Sequence, residues 1–192
     1  ITVLIGMPLS VVTGYALARY KIKFKNLIIS FILMTIVIPV FTTIIPIYSF
    51  FMEHSMLDSM LWTSVIFISA FIPLNIWIIM NYFRELPEDL WEAAAIEGAN
   101  ERQLFFQIGL PLAKPIVLTS SLVIFLMSWK QYIIPMLLLS SHNNKVLTLI
   151  MSEFMTRDAI NYSVIAMSGI IVIIPPLLAS IIFRKNLVSG LT

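Results

Sequence analysis

The chain has 192 residues, 59% of them hydrophobic and only 11% charged. Soluble domains carry about 25% charged residues, so most side chains here have lipid or other helices as their surroundings. A formal net charge of +2 without a clustered basic face excludes a nucleic-acid partner, and the absence of cysteine excludes disulfides and thiol chemistry.

Crossing a hydrocarbon core of about 30 Å takes roughly 20 apolar residues in a helix. Five stretches meet that test: Ile1 to about Ala18, Leu27 to about Met52, Leu61 to Phe83, Ile116 to Leu139 and Tyr162 to Phe183. They are apolar all round and too long for barrel strands of about 10 residues with alternating polarity. The expected fold is therefore all-α, a polytopic transmembrane helix bundle, with residues 1–192 forming a single transmembrane domain. The chain opens inside an apolar stretch, so the first span is expected to be incomplete, with one more span before it.

The first span ends in Arg19, Lys21, Lys23 and Lys25. The second leads into a short turn at 53–60, where Glu53 and His54 read as solvated. The third is followed by the loop 84–115, which holds Arg84, Arg102 and Lys114, and the fifth by Arg184 and Lys185. Lys130 falls inside the fourth span, and the loop 140–161 after it holds only Lys145 and Arg157. Basic residues concentrate on the cytoplasmic side of membrane proteins, which places loop 84–115 and the C-terminus inside and loops 53–60 and 140–161 outside. His54 and His142 fit no metal-ligand spacing, and no cofactor is expected.

Seven prolines lie in or beside the spans: Pro8, Pro39, Pro46, Pro73, Pro135, Pro175 and Pro176. Each removes a backbone donor and bends its helix. In lipid such breaks survive only where neighbouring groups satisfy the freed carbonyls. That suits a bundle lining a path, although prolines are common in spanning helices generally.

Loop 84–115 carries the most local chemistry. Pro87 suits the first position of a short helix, with Glu88 and Asp89 at the positive end of its dipole. Leu90, Trp91, Ala94 and Ala95 make one apolar stripe, and Gly98 is a natural stop. Asn100 with Gln103 makes a capping-box pattern for a second helix, whose apolar side is Leu104, Phe105 and Ile108. Pro111 and Pro115 lead into the fourth span.

The run Glu92-Ala93-Ala94, three residues, Gly98, nine residues, Ile108, one residue, Leu110-Pro111 resembles the EAA signature of permeases in ABC-type importers. Gly14-Tyr15-Ala16-Leu17-Ala18-Arg19, Met56-Leu57-Asp58-Ser59, Phe83-Arg84, Leu86 to Leu90, Trp129 with Tyr132, and the closing Gly190-Leu191-Thr192 are similar to the carbohydrate-uptake branch, the maltose-type inner-membrane permeases. The resemblance covers nearly the whole chain. It implies a type I importer permease fold in a bacterial plasma membrane, translocating a sugar or oligosaccharide. It assigns Glu92, Ala93, Ala94, Gly98, Ile108, Leu110 and Pro111 to the interface with a cytoplasmic ATPase subunit. Further partners implied are a second homologous permease, an extracellular solute-binding protein and the lipid bilayer. The chain has no phosphate-binding Gly-x-x-x-x-Gly-Lys-Ser/Thr loop, so ATP hydrolysis falls to the separate subunit and this chain is no enzyme.

The resemblance also marks Trp129, Lys130 and Tyr132 as candidate lining of the substrate path, with Lys130 where the family usually has Asn. A lysine near a span end also snorkels to the interface, and Trp129, Tyr132 and Trp62 also suit an aromatic belt. Two rivals stand beside this reading. One is a permease of the same class for an amino acid, a phosphonate or another small solute. The other is a secondary transporter that needs no ATPase. Such proteins commonly carry intramembrane acids or repeated halves, and these spans contain no Asp or Glu.

Overall fold

The computed structural model of the chain describes residues 1–141, 143–156 and 162–189. His142, Arg157 and the Gly190-Leu191-Thr192 tail lie outside the described residues. The described residues form helices α1 (Thr2–Arg19), α2 (Lys25–Val37), α3 (Val40–Glu53), α4 (Met60–Glu85), α5 (Glu88–Ile96), α6 (Glu101–Leu112), α7 (Lys114–Trp129), α8 (Ile133–Leu138), α9 (Leu147–Thr156) and α10 (Tyr162–Ser189), with no strand among them. Three of these helices are long and apolar enough to cross a membrane by themselves, and five spans result if each of two bent pairs counts as one.

Two breaks refine the sequence reading. The second predicted span is interrupted: α2 stops at Val37, Ile38 and Pro39 are extended, and α3 begins at Val40. Proline clashes with a helical residue before it and has no N–H to give, so the helix ends there. The fourth predicted span is shorter than expected. It ends at Trp129, residues 130–132 leave the helix, and α8 supplies only a short outer segment. Lys130 therefore sits exposed at the end of a helix and not within one.

Helices α1 and α4 form the most extensive pair, and α7 packs against both. Gly14 permits the close approach of α1 and α4: a Cβ there would lie 2.8 Å from Ile79 Cγ2 and 3.0 Å from the Met80 backbone nitrogen. Three buried hydroxyls of α1 and α4 turn back on their own helix backbones, which suits a lipid surrounding. Ser10 donates to the Gly6 carbonyl at 2.8 Å, Thr63 to Ser59 at 2.9 Å and Ser64 to Met60 at 2.7 Å. Buried Asn75 donates to the Phe71 carbonyl at 2.9 Å.

Three apolar clusters make up the core among the described residues, and the smallest is Leu17 of α1 with Ile76 and Met80 of α4. Another joins Met7, Val11 and Tyr15 of α1 to Ile79 and Phe83 of α4, and continues through Trp91 and Leu104 to Ala113 and Ile116. The third joins Phe51 of α3, Phe67 of α4, and Ile134 and Leu138 of α8 near the opposite end. Helix α10 packs on α7 and α9 and leaves most of its apolar surface open.

For two of the prolines a side chain from another element meets the predicted burden. A proline in a helix leaves the carbonyl four residues back without its partner. For Pro176 that carbonyl belongs to Val172, and the Trp129 indole Nε1 donates to it at 3.0 Å. For Pro135 it belongs to Gln131, and the Thr148 hydroxyl donates to it at 2.8 Å.

Candidate functional site

Helices α5 and α6 form an elbow between α4 and α7. Pro87 is the residue before α5 and not its first turn: its backbone is extended, and Glu88 and Asp89 begin the helix. Helix α5 ends at Gly98, whose φ of +85° favours glycine, with no atom within 4 Å of a Cβ built there. The Ala99 N–H bonds the Ala94 carbonyl at 3.0 Å and the Gly98 N–H bonds the Ala95 carbonyl at 3.0 Å. This pair of bonds closes a helix C-terminus around a left-handed residue. The capping box follows at once: Gln103 N–H to Asn100 Oδ1 at 3.0 Å, and Asn100 N–H to Gln103 Oε1 at 2.9 Å. Within α6 the segment Leu104–Gly109 has the wider π-helical turn, and the chain bends by 70° between α6 and α7.

The expected apolar stripe on α5 is narrower than its four residues. Only Trp91 is buried; Ala94 is half-buried, and Leu90 and Ala95 are exposed. A short helix lying across the end of a bundle can insert one side chain deeply. Trp91 is that side chain. Its ring lies 5.9 Å from that of Tyr15, and a Cβ at Gly109 would come within 3.2 Å of it. Tyr15 also meets Phe83 at 5.2 Å and Phe105 at 4.9 Å. The two arms of the elbow, α1 and α4 thus share one aromatic cluster. Tyr82 adds a hydrogen bond from its hydroxyl to the Leu112 carbonyl at 2.7 Å.

On the face away from that cluster the arms leave an open groove of about 420 Å³, lined by Leu90, Ala93, Ala94, Glu97, Ile108 and Pro111 among others. The fold therefore brings Ala93, Ala94, Ile108 and Pro111 to one surface. Glu92 and Gly98 are exposed on the same arm. Leu110 departs from this group: it packs against the core cluster and lines an apolar surface with Phe105 and Phe106.

The C-terminal end of α1 is fastened to both arms. Arg19 Nη1 lies 3.3 Å from Glu88 Oε1, with its guanidinium carbon 4.5 Å from the centroid of the Trp91 ring. The Tyr20 hydroxyl donates to Glu101 Oε2 at 2.6 Å. That bond, with smaller contributions from burial and the carboxylate charge, pushes the Tyr20 phenol up to about 12, so it stays a donor at any physiological pH. Sequence reasoning missed these roles, taking Arg19 only as a charge at a span end.

At the other end of the bundle, Asp58 joins the 53–60 turn to the chain after α8. Its Oδ1 accepts from the Ser140 N–H at 3.1 Å and the Ser141 N–H at 2.9 Å, and its carbonyl accepts from Asn144 Nδ2 at 2.7 Å. Hydrogen bonds from Ser141 foremost hold the Asp58 carboxyl below its ordinary value. A cavity of about 430 Å³ opens nearby, lined by Thr2, Thr63, Ser64, Ser128, Trp129 and Lys145 among others. Lys145 pairs with Glu153 beside it. Of the three candidate path residues only Trp129 reaches this cavity; Lys130 and Tyr132 are exposed past the end of α7.

The family described as "Binding-protein-dependent transport system inner membrane component" matches residues 6–192. The chain belongs to that family. Among curated relatives, it is 27% identical to the diacetylchitobiose uptake system permease protein of Streptomyces coelicolor, over 97% of this chain and 62% of the relative. The arabinooligosaccharides transport system permease protein of Halalkalibacterium halodurans is 27% identical over 100% of this chain and 68% of the relative. The trehalose transport system permease protein of Mycobacterium tuberculosis is 27% identical, with coverages of 100% and 71%. The chain thus spans about two thirds of the length of these relatives. In fold it is similar to a bacterial ABC transporter involved in the import of the acidic polysaccharide alginate, with a TM-score of 0.73 at 23% identity, covering 96% of this chain and 72% of that one. The family is one of membrane transport components, and the groove on the elbow and the apolar helices belong to such a component.

Proposed function

We propose that the chain is the membrane-spanning permease subunit of an ATP-driven importer in the bacterial plasma membrane. It translocates a sugar or oligosaccharide that an extracellular solute-binding protein delivers. A second homologous permease completes the path, and separate cytoplasmic ATPase subunits supply the energy. The observation that carries this reading is the elbow groove. Its small side chains, Ala93 and Ala94, permit close approach by a partner backbone, and its floor is continuous with the core cluster of α1 and α4. Glu97 lines it, and the segment 84–115 carries Glu85, Glu88, Asp89, Glu92, Glu97 and Glu101 against Arg84, Arg102 and Lys114, so a partner with a basic rim is favoured.

Glu92, Ala93, Ala94, Gly98, Ile108 and Pro111 form the surface on which the ATPase docks, and Leu110 holds that surface to the bundle. Support for a carbohydrate cargo comes from the relatives, three of which are named for oligosaccharide or disaccharide uptake. Trp129, together with Ser128 and the hydroxyls of Thr63 and Ser64, offers the polar and aromatic lining that a sugar path needs. Lys130 and Tyr132 stand beyond this lining, exposed past the end of α7.

The test is substitution of the groove. Ala94→Trp, in membranes containing the complete transporter, is expected to abolish co-purification of the ATPase while the permease stays inserted. Undiminished co-purification with normal uptake of a labelled disaccharide would remove the elbow from the coupling interface.

A further inference from the structure

We propose that Arg19 and Tyr20 are positioning residues that strap the two arms of the elbow to the C-terminal end of α1, so that the elbow, α1 and α4 move as one body. The inference rests on the coupling role given to the elbow above and adds a mechanism for it.

Neighbouring residues of one helix end reach different arms. Arg19 holds Glu88 on α5 at 3.3 Å, and Tyr20 holds Glu101 on α6 at 2.6 Å. Between the arms lies the Gly98 turn, and beyond them the 70° bend into α7. Force applied at the groove could be absorbed by flexing at either point. A strap anchored on both sides of Gly98 removes that freedom. The anchor is itself rigid, because a Cβ-free contact at Gly14 holds α1 directly against the α4 backbone. Arg19 lies over the Trp91 ring, so it also fixes the one side chain that plugs α5 into the core.

Exposure argues that the role is geometric. The Glu88 side chain is 78% exposed, and an exposed ion pair adds little to stability. Removing the strap is therefore expected to leave folding intact and to change how faithfully motion is passed on.

The complete transporter, with ATPase and binding protein, is reconstituted carrying Tyr20→Phe, Arg19→Gln or both. The ATP hydrolysed per solute imported is expected to rise about threefold or more in the double variant, while ATPase co-purification stays at the level of the unsubstituted complex. Because the chain has no native cysteine, spin labels at Lys21→Cys and Ile96→Cys report only the distance from α1 to the elbow tip. That distance distribution is expected to broaden when the strap is cut, and Arg19→Glu with Glu88→Arg is expected to narrow it again. An unchanged ATP-to-solute ratio, or an unbroadened distribution, overturns the proposal. Loss of co-purification in Tyr20→Phe also overturns it, since the residue would then act in docking. Ala94→Trp, measured alongside, separates this result from failure of the coupling reading: that reading fails only if Ala94→Trp is silent.

Discussion

At the elbow end of the bundle, α5 and α6 are short but closed by hydrogen-bonded motifs at every terminus that faces the turn, and Arg19 and Tyr20 at the end of α1 hold them in place. At the opposite end, α7 breaks after Trp129 and α8 is a fragment. Single side-chain hydrogen bonds from other elements satisfy the backbone there: Trp129 to Val172, Thr148 to Gln131, and Asp58 to Ser140 and Ser141. One end is built to keep its shape under load. The other is built from pieces whose links can each be exchanged for water at the cost of one bond. A helix bundle in lipid can change shape only where its backbone has alternative partners, and here those places gather at the end opposite the elbow.

The contrast is tested most severely at Trp129. Trp129→Phe keeps an aromatic ring, smaller than the indole, and removes the N–H, leaving the Val172 carbonyl without that donor beside Pro176. The expected loss is about 1–3 kcal/mol, read as a lower midpoint for thermal unfolding in detergent. An unchanged midpoint would mean that water or lipid headgroups satisfy that carbonyl equally well.

Gly98→Val tests the opposite end. The valine would have to adopt a left-handed backbone at a cost of about 1–2 kcal/mol, so roughly tenfold lower uptake is expected with normal insertion. Nothing within the chain lies within 4 Å of a Cβ there, so crowding inside the chain has no part in the effect. Gly98→Asn should retain most activity, because asparagine tolerates this conformation. Equal damage from both variants would show that side-chain volume against a partner, and not backbone strain, decides.

A smaller effect is expected from pH on the Asp58 clamp. The folded pKa is depressed, so the clamp contributes fully above the unfolded value near 3.9 and is lost as pH falls through the lowered value. Lowering the pH from about 7 to about 5 should leave the Ser140 and Ser141 amides protected from hydrogen exchange, with loosening only below about 4. Loosening at mildly acidic pH would place the control of this turn elsewhere. Least of all should follow from Lys130→Asn. The side chain is exposed at the end of α7, so uptake and substrate preference should barely change. A clear shift in preference would make Lys130 part of the path.

The elbow was legible in the sequence because its signals are local. Pro87, Gly98 and the Asn100–Gln103 pair act through the backbone within a few residues. The five apolar stretches were legible for the same reason, since composition alone reports them. What stayed hidden depends on contacts between distant segments. Glu88 and Glu101 meet Arg19 and Tyr20 across 69 and 81 residues, and no periodicity records that. The break at residues 130–132 has no glycine, and its proline comes only at Pro135, so an uninterrupted span was the natural reading. The partners of Pro135 and Pro176 could be anticipated as a need but not named. The narrow burial on α5 follows from Trp91 filling a space that α1, α4 and α6 create together.

The most direct test of the elbow as a cytoplasmic docking surface is Ala93→Cys in the otherwise cysteine-free chain, its thiol carrying a photo-reactive cross-linker or left free for labelling. Illumination of the assembled transporter in inside-out vesicles is expected to cross-link it to the ATPase subunit, and labelling by an impermeant thiol reagent is expected only from the cytoplasmic side. Labelling from the outer side, or illumination that yields no cross-link to another polypeptide through the turnover cycle, would contradict the account.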